Sequence, residues 1–300
     1  MQAKPMPYDA HAAFVAPARA RAELWRLFLG LVLITLIILG LTALLQWAVL
    51  TIGSPALYRD ITRLEGMGQT PAGVLALLYS FVIMTLAVVM VTAQFHRRHP
   101  LTLLGPVPLM LRQFGAVVAV LIALGIVIVV LPPWGFPDPV TRGMPPLTWI
   151  ILLPVGLVAV LIQTSAEEIL FRGYLQQQLA ARFRSPLIWM FAPAVLFGLL
   201  HYRPDAGANG GLIMLWAAGF ALAAADLTAR AGTLGPAIAL HFISNTSALL
   251  IMSAEGTLSG LALFRLQVDM ADPVALRPYL MIDATMILVG WLAARLAIRR

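Results

Sequence analysis

An all-α membrane protein crossing the bilayer about eight times is the fold class that this 300-residue sequence predicts, and three observations predict it. The chain is 61% hydrophobic and 11% charged, whereas soluble domains average roughly 45–50% apolar and 25% charged residues. Such a chain cannot cover itself with a water-soluble surface, so apolar side chains must face lipid as well as one another. Its apolar residues also gather into runs of spanning length, and its basic residues collect between those runs, mostly on one side. The absence of Cys excludes disulfides, thiol catalysis and Cys-type metal sites. The net charge of +7 comes without a basic stripe interleaved with aromatics, so the expected partner is the lipid bilayer and not a nucleic acid.

Residues 1–23 are Ala-rich, carry Pro5, Pro7 and Pro17, and hold Lys4, Arg19 and Arg21, which reads as a flexible cytoplasmic tail. Residues 24–300 read as a single membrane domain. The first apolar run, 27–50, is about 24 residues long, against roughly 7–15 for the core of a signal peptide, so it is expected to be retained as a span. Further runs follow at 72–95, 109–131, 147–170, 187–202, 211–229, 233–252 and 279–298. Pro and Gly cluster between them, most densely at 131–139, which reads as a turn-rich loop.

Counting Lys and Arg on alternate sides tests this topology. One side collects Lys4, Arg19, Arg21, Arg26, Arg97, Arg98, Arg112, Arg172, Arg182, Arg184, Arg230, Arg295, Arg299 and Arg300, fourteen in all. The other collects six: Arg59, Arg63, Arg142, Arg203, Arg265 and Arg277. By the positive-inside rule both termini are expected in the cytoplasm, and the protein is expected to be a multi-pass protein of a bacterial-type cell membrane.

The polar residues that break the apolar runs form three clusters: Glu167-Glu168 with Arg172, Phe197 with His201, and His241 with Asn245. A charge at the centre of a membrane helix costs ~2.5–3.5 kcal/mol even on insertion scales, so adjacent glutamates point to function. Spacing assigns faces. Glu168 and Arg172 are four apart and can pair, and Glu167 lies about 100° round the helix, free to point elsewhere. The midpoint of Glu167 and His201 is residue 184, beside the turn signal Arg184-Ser185-Pro186. A helical hairpin closing there places both residues at one level, about 25 Å from the turn at 1.5 Å per residue. Residues 172–184, with Gln176, Gln177 and Gln178, read as the end of the fourth helix emerging from the bilayer.

A glutamate and three polar side chains converging in a bilayer suggest hydrolysis. Glu167 is suited to act as general base, His201 to hold and polarise water, and His241 with the Asn245 amide to stabilise the oxyanion of a tetrahedral intermediate. Ser165 and Ser244 sit beside the motifs, but neither occupies a nucleophile elbow. The plainer reading of Glu168 and Arg172 is a structural ion pair. Asn245 can equally be read as helix–helix glue, His96-Arg-Arg-His99 as a headgroup-facing anchor, and Asp226 with Arg230 as a structural i,i+4 pair.

Glu-Glu-x-x-x-Arg, then Phe-x-x-x-His, then His-x-x-x-Asn on successive membrane helices resembles the CPBP family of CAAX proteases and bacteriocin-processing enzymes, also called the Abi family. The resemblance covers residues 147–252 and extends to Gly173-Tyr174-Leu175 and to Thr233-Leu-Gly-Pro-Ala before His241. It implies an eight-helix intramembrane endopeptidase with a cavity open to the cytoplasmic side. Glu167, His201, His241 and Asn245 would be catalytic, and Glu168 and Arg172 supporting. The implied substrate is a membrane-associated protein or peptide, with a CAAX-type prenylated one among the options. The family is often labelled metalloprotease, and Glu167, His201 and His241 would be three ligands of a zinc site with one open position. A glutamate-and-histidine mechanism needs no metal, and the sequence leaves both routes open. A non-catalytic scaffold or immunity factor on the same fold is the alternative from another class. A transporter is disfavoured because the polar residues form one cluster and not a path. Oligomeric state is not readable from the sequence.

Overall fold

The computed structural model describes residues 8–53, 58, 68–132, 139–256 and 258–299. Lys4, Arg59, Arg63, Arg300, the first seven residues of the expected tail and most of the 131–139 loop lie outside them. The described residues are mostly helical. A short α1 (Asp9–Val15) precedes α2 (Leu24–Ile52), α3 (Pro71–Phe95), α4 (Val107–Val130), α5 (Pro146–Arg182), α6 (Leu187–Leu200), α7 (Gly210–Ala231), α8 (Gly235–Ile251) and α9 (Pro273–Ala297). Each predicted apolar run is a helix. Six of them, α2 to α5, α7 and α9, are long and apolar enough to cross a membrane, whereas α6 and α8 are shorter apolar helices.

Local chemistry sets the boundaries. Pro71, Pro146, Pro236 and Pro273 stand in the first positions of α3, α5, α8 and α9, where a missing N–H costs nothing. The Thr70 hydroxyl caps α3 by accepting from the Gly73 N–H at 3.0 Å, and the Asp272 carboxylate caps α9 by accepting from the Val274 N–H at 2.8 Å. Gly232 closes α7 at φ 68°, a left-handed conformation that L side chains rarely adopt, and a Cβ there would lie 2.8 Å from the Ala10 carbonyl oxygen. That close approach lets α1 dock at the end of α7.

Two ends of the bundle differ. One carries a small sheet in the order β1-β3-β2, made of Val140–Arg142, Phe264–Leu266 and Met252–Ala254. β1 pairs antiparallel to β3 (Thr141 opposite Arg265), and β2 runs parallel to it (Ser253 opposite Arg265). The sheet joins the start of α5 to the end of α8, and the Trp149 indole N–H locks this corner by donating to the Leu250 carbonyl at 2.7 Å. The other end carries α1 and the last turns of α5, α7 and α9.

Here the structure corrects the reading of the N-terminal segment. Residues 8–21 are not a flexible tail: α1 and a 3-10 turn (Ala16–Arg21) bury His11, Phe14, Val15 and Ala18. Gln176, Gln177 and Gln178, expected to emerge from the bilayer, are buried beneath them, and the Gln177 amide donates to the carbonyls of Phe14 (2.7 Å) and Thr102 (3.0 Å). His96 is likewise buried, bonded to the Tyr174 hydroxyl at 2.8 Å and to the Gln178 amide at 3.0 Å. Only Arg97 and His99 of that tetrapeptide are exposed as a headgroup anchor would be; Arg98 is buried.

Candidate active site

Three helices bring the polar clusters together in the interior. Glu167 and Glu168 sit where α5 changes from α to π geometry at Ile169, and π turns of this kind recur at functional positions. The predicted Glu168–Arg172 pair forms at 2.9 Å, fully buried. The second arm of the Arg172 guanidinium donates to the Ala221 carbonyl at 3.1 Å, tying α5 to α7, and its plane lies 5.1 Å from the centre of the Phe197 ring. Glu168 does more than balance a charge. Its Oε1 also lies 2.8 Å from Nδ1 of His241, and a carboxylate acceptor there fixes Nδ1 as the protonated nitrogen.

His241 thereby turns its other nitrogen, Nε2, toward Glu167 Oε2 at 3.6 Å. The two glutamates, a helical step apart, meet on opposite sides of one imidazole. Glu167 is held from its other oxygen: the Gln163 amide donates to Oε1 at 2.8 Å, and the Asn245 amide donates to the Gln163 carbonyl oxygen at 2.8 Å. This relay from α8 to α5 fixes the carboxylate and leaves Oε2, buried, with no hydrogen-bond partner among the described residues.

His201 stands at the end of α6. Its ring stacks on Phe197 at 4.3 Å, and Nδ1 donates to the Phe197 carbonyl at 2.8 Å, so in the neutral ring Nε2 is the acceptor. Gly198 brings this helix in: a Cβ there would meet the Met214 carbonyl at 2.6 Å and Ala218 at 2.9 Å. Glu167, His201, His241 and Asn245 all line one cavity of about 300 Å3, with Gln163 and Ser244 as further polar wall. Phe81, Phe197, Trp216 and Phe220 supply its apolar faces.

Residues 148–247, a third of the chain, match the family model described as Type II CAAX prenyl endopeptidase Rce1-like. This segment is similar to Rce1-like endopeptidases. The Rce1-like segment spans α5 to α8 and so contains every polar residue of the cavity. A curated relative, the uncharacterized protein YyaK of Bacillus subtilis (strain 168), is 29% identical over 116 residues. That match covers 37% of this chain and 38% of the relative. No solved structure matches the chain.

Within the Rce1-like segment, one participant escaped the sequence reading. Gln163 is four residues before Glu167, and the helical spacing that paired Glu168 with Arg172 would have found it; a lone amide in an apolar run drew no notice. Among the described residues no group of three or more His, Asp and Glu side chains is placed to hold a metal ion. Both histidines have committed Nδ1, one to Glu168 and one to the Phe197 carbonyl.

The cavity also has a definite place along the bundle. The cavity lies in the half of the bundle that bears the sheet: Leu77 and Leu78 come from the first turns of α3, Leu249 from the last turns of α8, and Leu258 from the segment joining β2 to β3. Glu168 and Arg172, fully buried, follow along α5 toward the other end. Cavity and α1 therefore lie toward opposite ends of the bundle.

Proposed function

We propose that the protein is an intramembrane endopeptidase that hydrolyses a peptide bond of a membrane-associated protein or peptide. The observation that carries this reading is Glu167 Oε2: a buried carboxylate oxygen facing a cavity, held by Gln163 through its other oxygen and unpartnered among the described residues. In the reaction, water between Glu167 Oε2 and His201 Nε2 loses a proton to the carboxylate as its oxygen bonds to the scissile carbonyl carbon. The carbonyl oxygen becomes an oxyanion, for which the second N–H of the Asn245 amide is the donor at hand, joined by His241 Nε2 when the ring carries a proton on both nitrogens. Collapse breaks the C–N bond, and Glu167 returns its proton to the leaving amine.

Each supporting contact has a task in this scheme. Glu168 orients His241, Arg172 pairs with Glu168 and ties it to α7, and Gln163 couples the base to the oxyanion side. A Glu167→Gln variant, isosteric and unable to accept the proton, is expected to lose roughly 10²- to 10⁴-fold in cleavage. The measurement is mass-spectrometric profiling of peptides released in proteoliposomes; undiminished release would sink the mechanism.

A further inference from the structure

The arginines sort by the same two ends as the cavity. Arg19, Arg21, Arg26, Arg97, Arg98, Arg112, Arg182, Arg184, Arg230, Arg295 and Arg299 lie at the end away from the sheet, while Arg142, Arg203, Arg265 and Arg277 lie at the sheet end. Among the described residues, with Arg172 set aside in the interior, eleven against four is the asymmetry by which basic loops are retained in the cytoplasm. The sheet end is then the outer one. The cavity belongs to that end by its lining, and Leu258 in its wall comes from the covering segment between β2 and β3. Toward the basic end Glu168, Arg172, Gln176 and Gln177 are all buried.

We infer that the catalytic cavity is served from the non-cytoplasmic face, and that its substrate is an exported peptide or the outward-facing segment of a membrane protein. The substrate class rests on the hydrolytic reading above; the sidedness does not. A CAAX-type prenylated protein presented only at the cytoplasmic surface would not reach this cavity.

The natural chain has no Cys, so single-cysteine variants report sidedness directly. Ala208→Cys lies on the exposed turn between α6 and α7 at the sheet end, and Ala20→Cys is exposed beside α1 at the other. In intact cells a membrane-impermeant maleimide is expected to label Ala208→Cys fully and Ala20→Cys only after permeabilisation. Glu255→Cys, exposed next to β2, repeats the outer measurement should Ala208→Cys fail to accumulate. The reverse pattern, or labelling of both ends from outside, overturns the inference. A randomised quenched-fluorescent peptide library is then added to oriented vesicles. Cleavage is expected in right-side-out vesicles and lost in inside-out ones, and the opposite result overturns the outward substrate. Outward labelling with no cleavage in either orientation overturns the substrate class through the hydrolytic reading and leaves the sidedness standing.

Discussion

Asp226 in α7 and Glu167 in α5 are both carboxylates buried in a bundle of apolar helices, each lines a cavity, and they differ in how their oxygens are hydrogen-bonded. Asp226 is saturated: Oδ1 accepts from the Tyr8 hydroxyl (2.8 Å) and Arg230 Nε (2.8 Å), and Oδ2 accepts from Arg230 Nε (2.9 Å) and the Trp291 indole (2.9 Å). These donors come from the N-terminal segment, α7 itself and α9. Glu167 is held through one oxygen, and the other is turned to a cavity. Buried charge in itself says little about role. A carboxylate closed off by donors from several elements serves as a joint between them, whereas one fixed from behind with a free oxygen is ready to take a proton.

Asp226→Asn is the sharpest way to break this contrast. It leaves Arg230 without its counter-ion at a site whose two side chains are mostly buried, so a destabilisation of about 3–5 kcal/mol is expected, with the cavity intact. Thermal unfolding in detergent measures it. Cleavage per folded molecule should be retained, opposite to the outcome for Glu167→Gln; equal losses of activity in the two variants would erase the distinction.

A milder effect concerns the N-terminal joint alone. Burial against Trp189 and Phe14 pushes the His11 imidazole down to about 4, so docked α1 holds it neutral. Once undocked, the same ring takes up a proton near its ordinary value of about 6.5. The docking free energy is thus complete above pH 6.5 and declines as pH falls toward 4, by up to about 3 kcal/mol. Hydrogen exchange of the 9–21 amides, corrected for intrinsic rates, should accelerate across that window, while His11→Phe should flatten the response.

Smallest is the change at Glu168, which belongs to both kinds of site. Glu168→Gln weakens the bonds to Arg172 and His241 without touching the base. Loss of a charge-assisted hydrogen bond corresponds to roughly 10- to 100-fold in rate. A shifted pH profile of cleavage would mark it as a positioning residue; a stability loss with an unchanged profile would return it to the structural pair that sequence alone favours.

What was legible in the sequence followed from periodicity strong enough to stand alone. Long apolar runs mark the helices, and four-residue spacing marks the Glu168–Arg172 pair, because both signals are local. The N-terminal segment shows why others are missed. His11, Phe14, Val15 and Ala18 recur at i, i+3, i+4 and i+7, a buried helical stripe, but the stripe is two turns long, interrupted by Pro17 and set among alanines. The sheet has strands of three residues, too short for alternation to register. The second contact of Glu168, with a histidine 73 positions away, has no local signal at all.

The wide turn of α5 has a consequence for chain length. From Ile169 to Gln176 the backbone bonds i→i+5, so this stretch holds a longer loop of chain per turn than an α-helix would. Deleting one residue there would restore ordinary winding and rotate one half of α5 against the other. Either the glutamates would leave the cavity or Gln176 to Gln178 would leave the N-terminal segment. The number of residues in this stretch is constrained as tightly as their identity, and a one-codon deletion would do damage that no single side-chain change there could match.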